Sequence, residues 1–375
     1  MHFSLRNRIE KLLLSIWFPT AGDRSPTGLL RTLLGNLLVP LSWLTASISR
    51  YRRNQISRPV LSDLAPGSPG PIILVVGNLV AGGAGKTPAS LAISRHLRDA
   101  GYKVGLLCNA YRATSDAAQM VNTGSAVAQV GDEALLLALD SGLAVASGRR
   151  RDQALGLLLA HDPEIDVVVA DDGLQHSRLP RHLELAVFDA RGAGNHRLLP
   201  AGPLREPLAH AQQMSAVLLN GTWLSPIAHD QVFHFSVRAA ALCSLEHFAA
   251  NLAPGELTRD DDQLEATLQE LRKVPVTRRQ AIAGIAQPQR FADTLAGFDL
   301  PCPVRALGDH ARLDAAMIAA IDADVIIMTA KDAVKLLQLH DRRCWVLRVE
   351  AQFDAPFYTW LDTQIKPLLK GSKHG

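Results

Sequence analysis

A chain of 375 residues with 47% hydrophobic content is long enough to bury more than one core, so two domains are the starting expectation. Its 39 basic and 36 acidic residues leave a net charge of +3, which excludes the strong basic excess of a general nucleic-acid binder. Cys108, Cys243, Cys302 and Cys344 lie far apart without a C-x-x-C pair, which argues against a disulfide framework or a structural zinc site and for a reducing, cytosolic setting.

In chain order, the first feature is the short apolar run Leu12 to Phe18 behind Lys11; no small-residue cleavage site follows it, so it does not read as a secretory signal. Between Thr32 and Ser49 no charged residue occurs, and the run stops at Arg50, Arg52, Arg53 and Arg58. Residues 1–60 are therefore expected to form an apolar helical segment associated with a membrane surface, with the arginines meeting anionic headgroups. The uncharged length is near the lower limit of about 17 to 25 residues for a spanning helix and Pro40 interrupts it, so crossing the bilayer and lying in its interface both stay open. A buried helix of a soluble domain is the plainer alternative.

From Leu61 to Pro71 the composition turns to Pro, Gly and Ser, which marks a domain boundary. The continuous β-branched run Ile72 to Val76 predicts a buried strand, and it leads into Gly77-Asn78-Leu79-Val80-Ala81-Gly82-Gly83-Ala84-Gly85-Lys86-Thr87-Pro88, with a helix expected over Ala89 to Ala100. Strand, glycine-rich loop and helix in this order form a phosphate cradle: the glycines let backbone N–H groups converge on phosphate oxygens and the helix N-terminus adds its dipole. Gly82, Gly83, Ala84 and Gly85 are the cradle, Lys86 reaches the β- and γ-phosphates of ATP, and Thr87 reaches Mg2+. The loop is a variant, because the strict G-x-x-x-x-G-K-[ST] pattern asks for glycine where Val80 stands. A second strand, Ile165 to Ala170, delivers Asp171-Asp172-Gly173; Asp171 is expected on the magnesium and Asp172 on the acceptor side, against the plainer reading of a turn.

Further strands are predicted at Val104 to Leu107, Leu143 to Ala146, Leu185 to Phe188, Ala216 to Leu219, Gln280 to Gly284, Val325 to Thr329 and Trp345 to Val349, many separated by helical stretches. This alternation predicts an α/β fold, a mostly parallel P-loop NTPase-like sheet with helices on both faces. Around Val232 to Ser244 the pattern changes to short alternating strands, read as the hinge into a smaller C-terminal α/β domain. The expected division is 1–60, a kinase domain over 61–228, and 229–375 closing over an acceptor cleft.

Several motifs then carry a family resemblance: GNLVAGGAGKTP from Gly77, GDEALLL from Gly131, DDGLQH from Asp171, LLPAGPLREP from Leu198, AGIAQPQRF from Ala283, GDH from Gly308 and TAKDAVK from Thr329. In this order they resemble tetraacyldisaccharide 4'-kinase, the lipid A 4'-kinase of Gram-negative bacteria. The resemblance implies Mg2+-dependent transfer from ATP to the 4'-hydroxyl of a tetraacylated glucosamine disaccharide 1-phosphate, at the cytoplasmic face of the inner membrane. It implies the lipid-linked disaccharide and the membrane surface as partners, with neither nucleic acid nor an obligatory protein partner. It further implies Asp132 as general base paired with His310, Glu133 near the metal and Arg151 as a charge clamp on the nucleotide.

Two segments depart from the family pattern. Cys108-Asn109-Ala110-Tyr111-Arg112 stands where Ser-Arg-Gly-Tyr-Gly is usual, and Thr329-Ala330-Lys331-Asp332 where Thr-Glu-Lys-Asp is usual. The first motivates the alternatives of a non-catalytic paralogue or a kinase of a different glycolipid. A partition-type ATPase would carry a lysine where Ala81 stands, and a guanine-nucleotide switch would need its base-reading Asn/Thr-Lys-x-Asp motif without the extra residue before Lys331.

Overall fold

Long β-branched runs and amphipathic stretches alternate along this chain, and the computed structural model shows them as strands and helices. It describes residues 2–19, 25–56, 70–111, 113–222, 227–250, 261–285, 287–307 and 313–372. His310, Arg112, Arg58 and most of the linker expected over 61–71 lie outside them.

The chain opens with α1 (His2–Trp17), α2 (Pro26–Leu37) and α3 (Val39–Asn54), then enters β1 (Ile72–Gly77) and α4 (Lys86–Asp99). It continues through β2 (Val104–Cys108), β3 (Gln119–Val121), α5 (Val127–Val130), α6 (Asp132–Ser141), β4 (Ala144–Ser147), α7 (Arg151–His161), β5 (Val167–Asp171), β6 (Leu183–Asp189) and β7 (Ala216–Asn220). The C-terminal part comprises β8 (Val232–Ser244), α8 (Leu245–Ala250), α9 (Asp261–Arg272), β9 (Arg279–Ala283), α10 (Pro288–Gly297), β10 (Val304–Ala306), α11 (Ala315–Ala319), β11 (Val325–Thr329), α12 (Ala330–Ala333), β12 (Cys344–Phe353) and α13 (Ala355–Ser372).

These elements form two compact units, each gathered from separate stretches: residues 1–86, 172–236 and 353–375 in the first, 87–171 and 237–352 in the second. In the first unit β1 pairs with β6, β6 with β7 and β7 with the start of β8, all parallel. Every residue of β1 is buried, as a strand covered on both faces requires. In the second unit β5, β2 and β4 are parallel neighbours and β3 closes that edge antiparallel to β4. The same unit contains the parallel series β10, β9, β11, β12. Leu264, Leu268 and Leu271 of α9 pack with Phe291 and Leu295 of α10 against Ala281, Ile327 and Leu347 of those strands. The fold is thus α/β with mostly parallel strands. One expectation is corrected here: Val232 to Ser244 is a single 13-residue strand, not several short ones, and the chain passes from the first unit to the second inside it.

The uncharged N-terminal run also differs from one continuous helix. Ser25 Oγ accepts from Gly28 N at 3.1 Å to cap α2, which ends at Leu37. Pro40 lies in the first turn of α3; continued from α2, its ring would strike the carbonyl of Asn36 and supply no N–H to it, so the axis bends, by 47°. Among the described residues no single helix is long and apolar enough to cross a membrane; α2 and α3 meet that requirement only as a bent pair. These helices are tied to a loop of the first unit: Ser42 Oγ donates to Leu198 O (2.8 Å), Thr45 Oγ1 to Leu199 O (2.6 Å) and Trp17 Nε1 to Pro200 O (2.9 Å). Their other side leaves Leu30, Leu33, Leu37, Leu41, Leu44 and Ile48 exposed, spaced three or four apart, with Trp43 68% exposed beside them.

Candidate phosphate-binding and catalytic site

In the first unit the loop after β1 reverses direction through left-handed backbone at Gly82 (φ +104°) and Gly85 (φ +94°), positions that a side chain would strain. Its carbonyl groups are held by side-chain donors. Asn78 Nδ2 donates to Val80 O and, at 3.1 Å, to Gly82 O; Arg191 Nη2 donates to Gly83 O (3.4 Å) and Asn220 Nδ2 to Ala84 O (3.0 Å). A trans peptide sets the next N–H antiparallel to its C=O. The amides of Gly83, Ala84 and Gly85 are therefore aimed away from these donors, which is the orientation a phosphate cradle needs.

Lys86 follows at the start of α4, three residues before the predicted helix, with Pro88 in the first turn where no N–H is missed. Its Nζ donates to Asn78 Oδ1 (3.2 Å) and lies 3.6 Å from Asp172 Oδ1. Arg205 reaches the same carboxylate at 3.2 Å and Gln175 Oε1 at 3.4 Å. Gln175 Nε2 in turn donates to Asn78 O (3.1 Å) and to the buried Glu206 (3.0 Å). Asp172 has φ +50°, so the chain turns sharply at the second of the two acids. This turn separates their partners.

In the second unit Asp171, 2% exposed, accepts from Thr87 Oγ1 at 2.8 Å through Oδ2 and from Ser90 Oγ at 2.9 Å through Oδ1. Arg151 is fully buried, and its Nη2 donates to the main-chain oxygen of Asp171 (2.7 Å), fixing the end of β5. Hydroxyl and carboxylate oxygens side by side are a hard donor set of the kind Mg2+ prefers, and an ion shared with phosphates and water needs few protein ligands. The residues present therefore fit the ion expected here.

The GDE segment opens α6. Gly131 has φ +92°, and Asp132 is buried with Oδ1 accepting from Glu133 N at 3.0 Å. Asp132 Oδ2 lies 3.5 Å from Lys335 Nζ, and Glu133 Oε1 accepts from Lys331 Nζ at 2.9 Å. The loop that departs from the family pattern passes close by, since a Cβ on Gly131 would sit 3.4 Å from Tyr111 O. Burial pushes the Cys108 thiol well above its ordinary range, so it keeps its proton and fills space as a small apolar side chain.

The structure thus brings Thr87 together with Asp171, Lys86 with Asp172, and Arg151 with the backbone beside Asp171, while Asp132 and Glu133 meet lysines. Sequence reading did not single out Asn78, Ser90, Arg191, Arg205, Asn220, Lys331 or Lys335 for roles. Arg205, Lys331 and Lys335 stood inside motifs already noted, but their partners lie far along the chain.

A family model described as tetraacyldisaccharide-1-P 4'-kinase matches residues 34–366. The chain is 40% identical over 318 residues to the tetraacyldisaccharide 4'-kinase of Dechloromonas aromatica, covering 84% of this chain and 88% of that one. It is 42% identical over 308 residues to the same-named protein of Methylibium petroleiphilum, with 79% and 81% covered. Among solved structures, the "apo" form of LpxK from Aquifex aeolicus in complex with ATP superposes with a TM-score of 0.66 at 22% identity, over 88% of this chain and 99% of that one, a likeness in fold. With a family model matching residues 34–366 and relatives of about 40% identity matched over more than four fifths of their own length, the chain belongs to the tetraacyldisaccharide 4'-kinase family.

Proposed function

We propose that this protein transfers the γ-phosphoryl group of ATP to the 4'-hydroxyl of a tetraacylated glucosamine disaccharide 1-phosphate, the lipid A 4'-kinase reaction. The observation that carries the proposal is the tied-back loop, whose Gly83, Ala84 and Gly85 amides face away from their neighbours' donors and which ends in Lys86. Amides so arranged hold the phosphates, and Lys86 offsets their charge. Thr87 and Asp171 would hold Mg2+, with Arg151 fixing the main chain behind Asp171. Bound there, the ion would offset negative charge on the phosphates.

Asp132 is assigned as the base that accepts the acceptor's proton, with His310 its expected partner, and Asp172 serves the acceptor side. Glu133 is a further acid near the metal in this reading, and Arg151, fully buried, serves the nucleotide site through the Asp171 main chain that it holds. Catalysis of this kind consists mainly of positioning and charge neutralisation, with the proton leaving late.

The protein works at the cytoplasmic face of the bacterial inner membrane in this reading. The exposed leucines of α2 and α3, followed by exposed Arg50 and Arg52, favour a helix pair lying in the interface, apolar side in the acyl region and arginines at the headgroups. The test is an acceptor assay in detergent micelles with Mg-ATP. Lys86→Ala should abolish transfer while its unfolding midpoint stays at the parent value; full activity in that variant would end the P-loop assignment.

A further inference from the structure

Asp332 is completely buried in the second unit, and its two oxygens are spoken for. Oδ2 accepts from Gly284 N and from Thr329 Oγ1, both at 2.8 Å, and Oδ1 accepts from Lys335 Nζ at 3.1 Å. A Cβ on Gly284 would lie 2.4 Å from Oδ1, so only glycine leaves room for this carboxylate. Asp332 is therefore a fixed anchor, and Lys335, with its side chain 10% exposed, is not a swinging surface lysine. From that anchor its ammonium reaches Asp132 Oδ2 at 3.5 Å, while Asp132 Oδ1 is engaged by Glu133 N. One turn earlier Lys331 holds Glu133 at 2.9 Å. Two lysines four residues apart thus grip two consecutive acids in the first turn of α6.

Packing alone does not account for this arrangement. The rest of α6 is mainly Ala and Leu, and burying charges costs several kcal/mol per ion before pairing returns it, so apolar contacts would join these elements at least as well. Charged groups here accomplish what apolar ones do not: they hold a carboxylate at one orientation inside the protein. We propose that Lys335 is a positioning residue for the phosphoryl transfer, holding Asp132 in its working orientation from the Asp332 anchor. The inference rests on the assignment of Asp132 as base.

The test uses the purified full chain with Mg-ATP and acceptor in micelles. Lys335→Met should lower kcat about 10- to 100-fold, the scale expected of a misplaced catalytic group, with ATP affinity unchanged. Lys335→Arg, which keeps the charge and the reach, should recover most of the loss. Added to Asp132→Asn, Lys335→Met should take away little further residual turnover, because the lysine acts through that carboxylate. Should Lys335→Met prove unstable, Lys335→Gln is compared with Lys335→Arg at matched folded fraction. A kcat within twofold of the parent, or losses that multiply in the double variant, would overturn the proposal. Full activity in Asp132→Asn would sink the base assignment itself. Inactive Asp132→Asn beside fully active Lys335→Met would sink the positioning role alone.

Discussion

Replacing Leu37 and Leu44 together by glutamate separates membrane docking from folding. The two side chains are 74% and 62% exposed, so they contribute little to the core and their loss should change stability by no more than about 0.5 kcal/mol. Full burial of a leucine is worth roughly 1.5–3 kcal/mol, and the exposed share of each corresponds to about 1–2 kcal/mol gained on entering an acyl region. Removing both should weaken binding to a bilayer by about 2–4 kcal/mol, or roughly 30- to 1,000-fold in the partition constant. Co-sedimentation with anionic phospholipid vesicles measures the partitioning, and urea unfolding of the same samples measures the fold. Unchanged partitioning would refute the interfacial reading of α2 and α3. A large fall in unfolding midpoint would show that these residues pack inside the protein after all.

Two further outcomes concern stability. Asp140 and Arg348 form a buried ion pair in the second unit, with side chains 7% and 4% exposed and the Phe248 ring 6.0 Å from the guanidinium. Asp140→Ala strands that charge and should cost about 3–5 kcal/mol in urea unfolding, whereas Asp140→Leu with Arg348→Met should recover most of it; a single-variant cost below about 1 kcal/mol would contradict this. His182 Nδ1 accepts from Ile73 N at 2.9 Å at the start of β1, and burial lowers its pKa below the ordinary 6.5. The native state therefore binds fewer protons there than the unfolded chain, so the contribution is fully present above about 6.5 and is lost as pH falls towards the depressed value. Unfolding free energy should decline over that window, and His182→Gln should flatten the decline; an unaltered slope would rule out this residue as its source.

What was legible in the sequence was local. Ile72 to Val76 could only be a buried strand, and glycine spacing before Lys86-Thr87 announced the turn that Gly82 and Gly85 make with positive φ. The adjacent acids at the end of β5 were visible as well. That they serve different partners depends on the φ of +50° at Asp172, which no pattern of residue types discloses. The pairings of Glu133 with Lys331 and Asp132 with Lys335 join residues about two hundred positions apart and arise only once α6 and the segment after β11 pack together. Asn78 looked like one more loop residue, yet it ties two carbonyls and Lys86 at once. At Val232 to Ser244, small residues such as Ala239, Ala240 and Ala241 weaken the strand signal, and a place in the sheet, with β7 along Val232–Phe235 and β12 as the other neighbour, overrides it to give one long element.

The proposed reaction takes place at one hydroxyl. It is tested most directly by incubating the purified protein with Mg-ATP and tetraacyldisaccharide 1-phosphate in micelles, then locating the new phosphate by NMR. A single new monoester on the 4'-oxygen is expected, formed with one ADP per product. ATP consumed without such an ester, or an ester at another position, would contradict it.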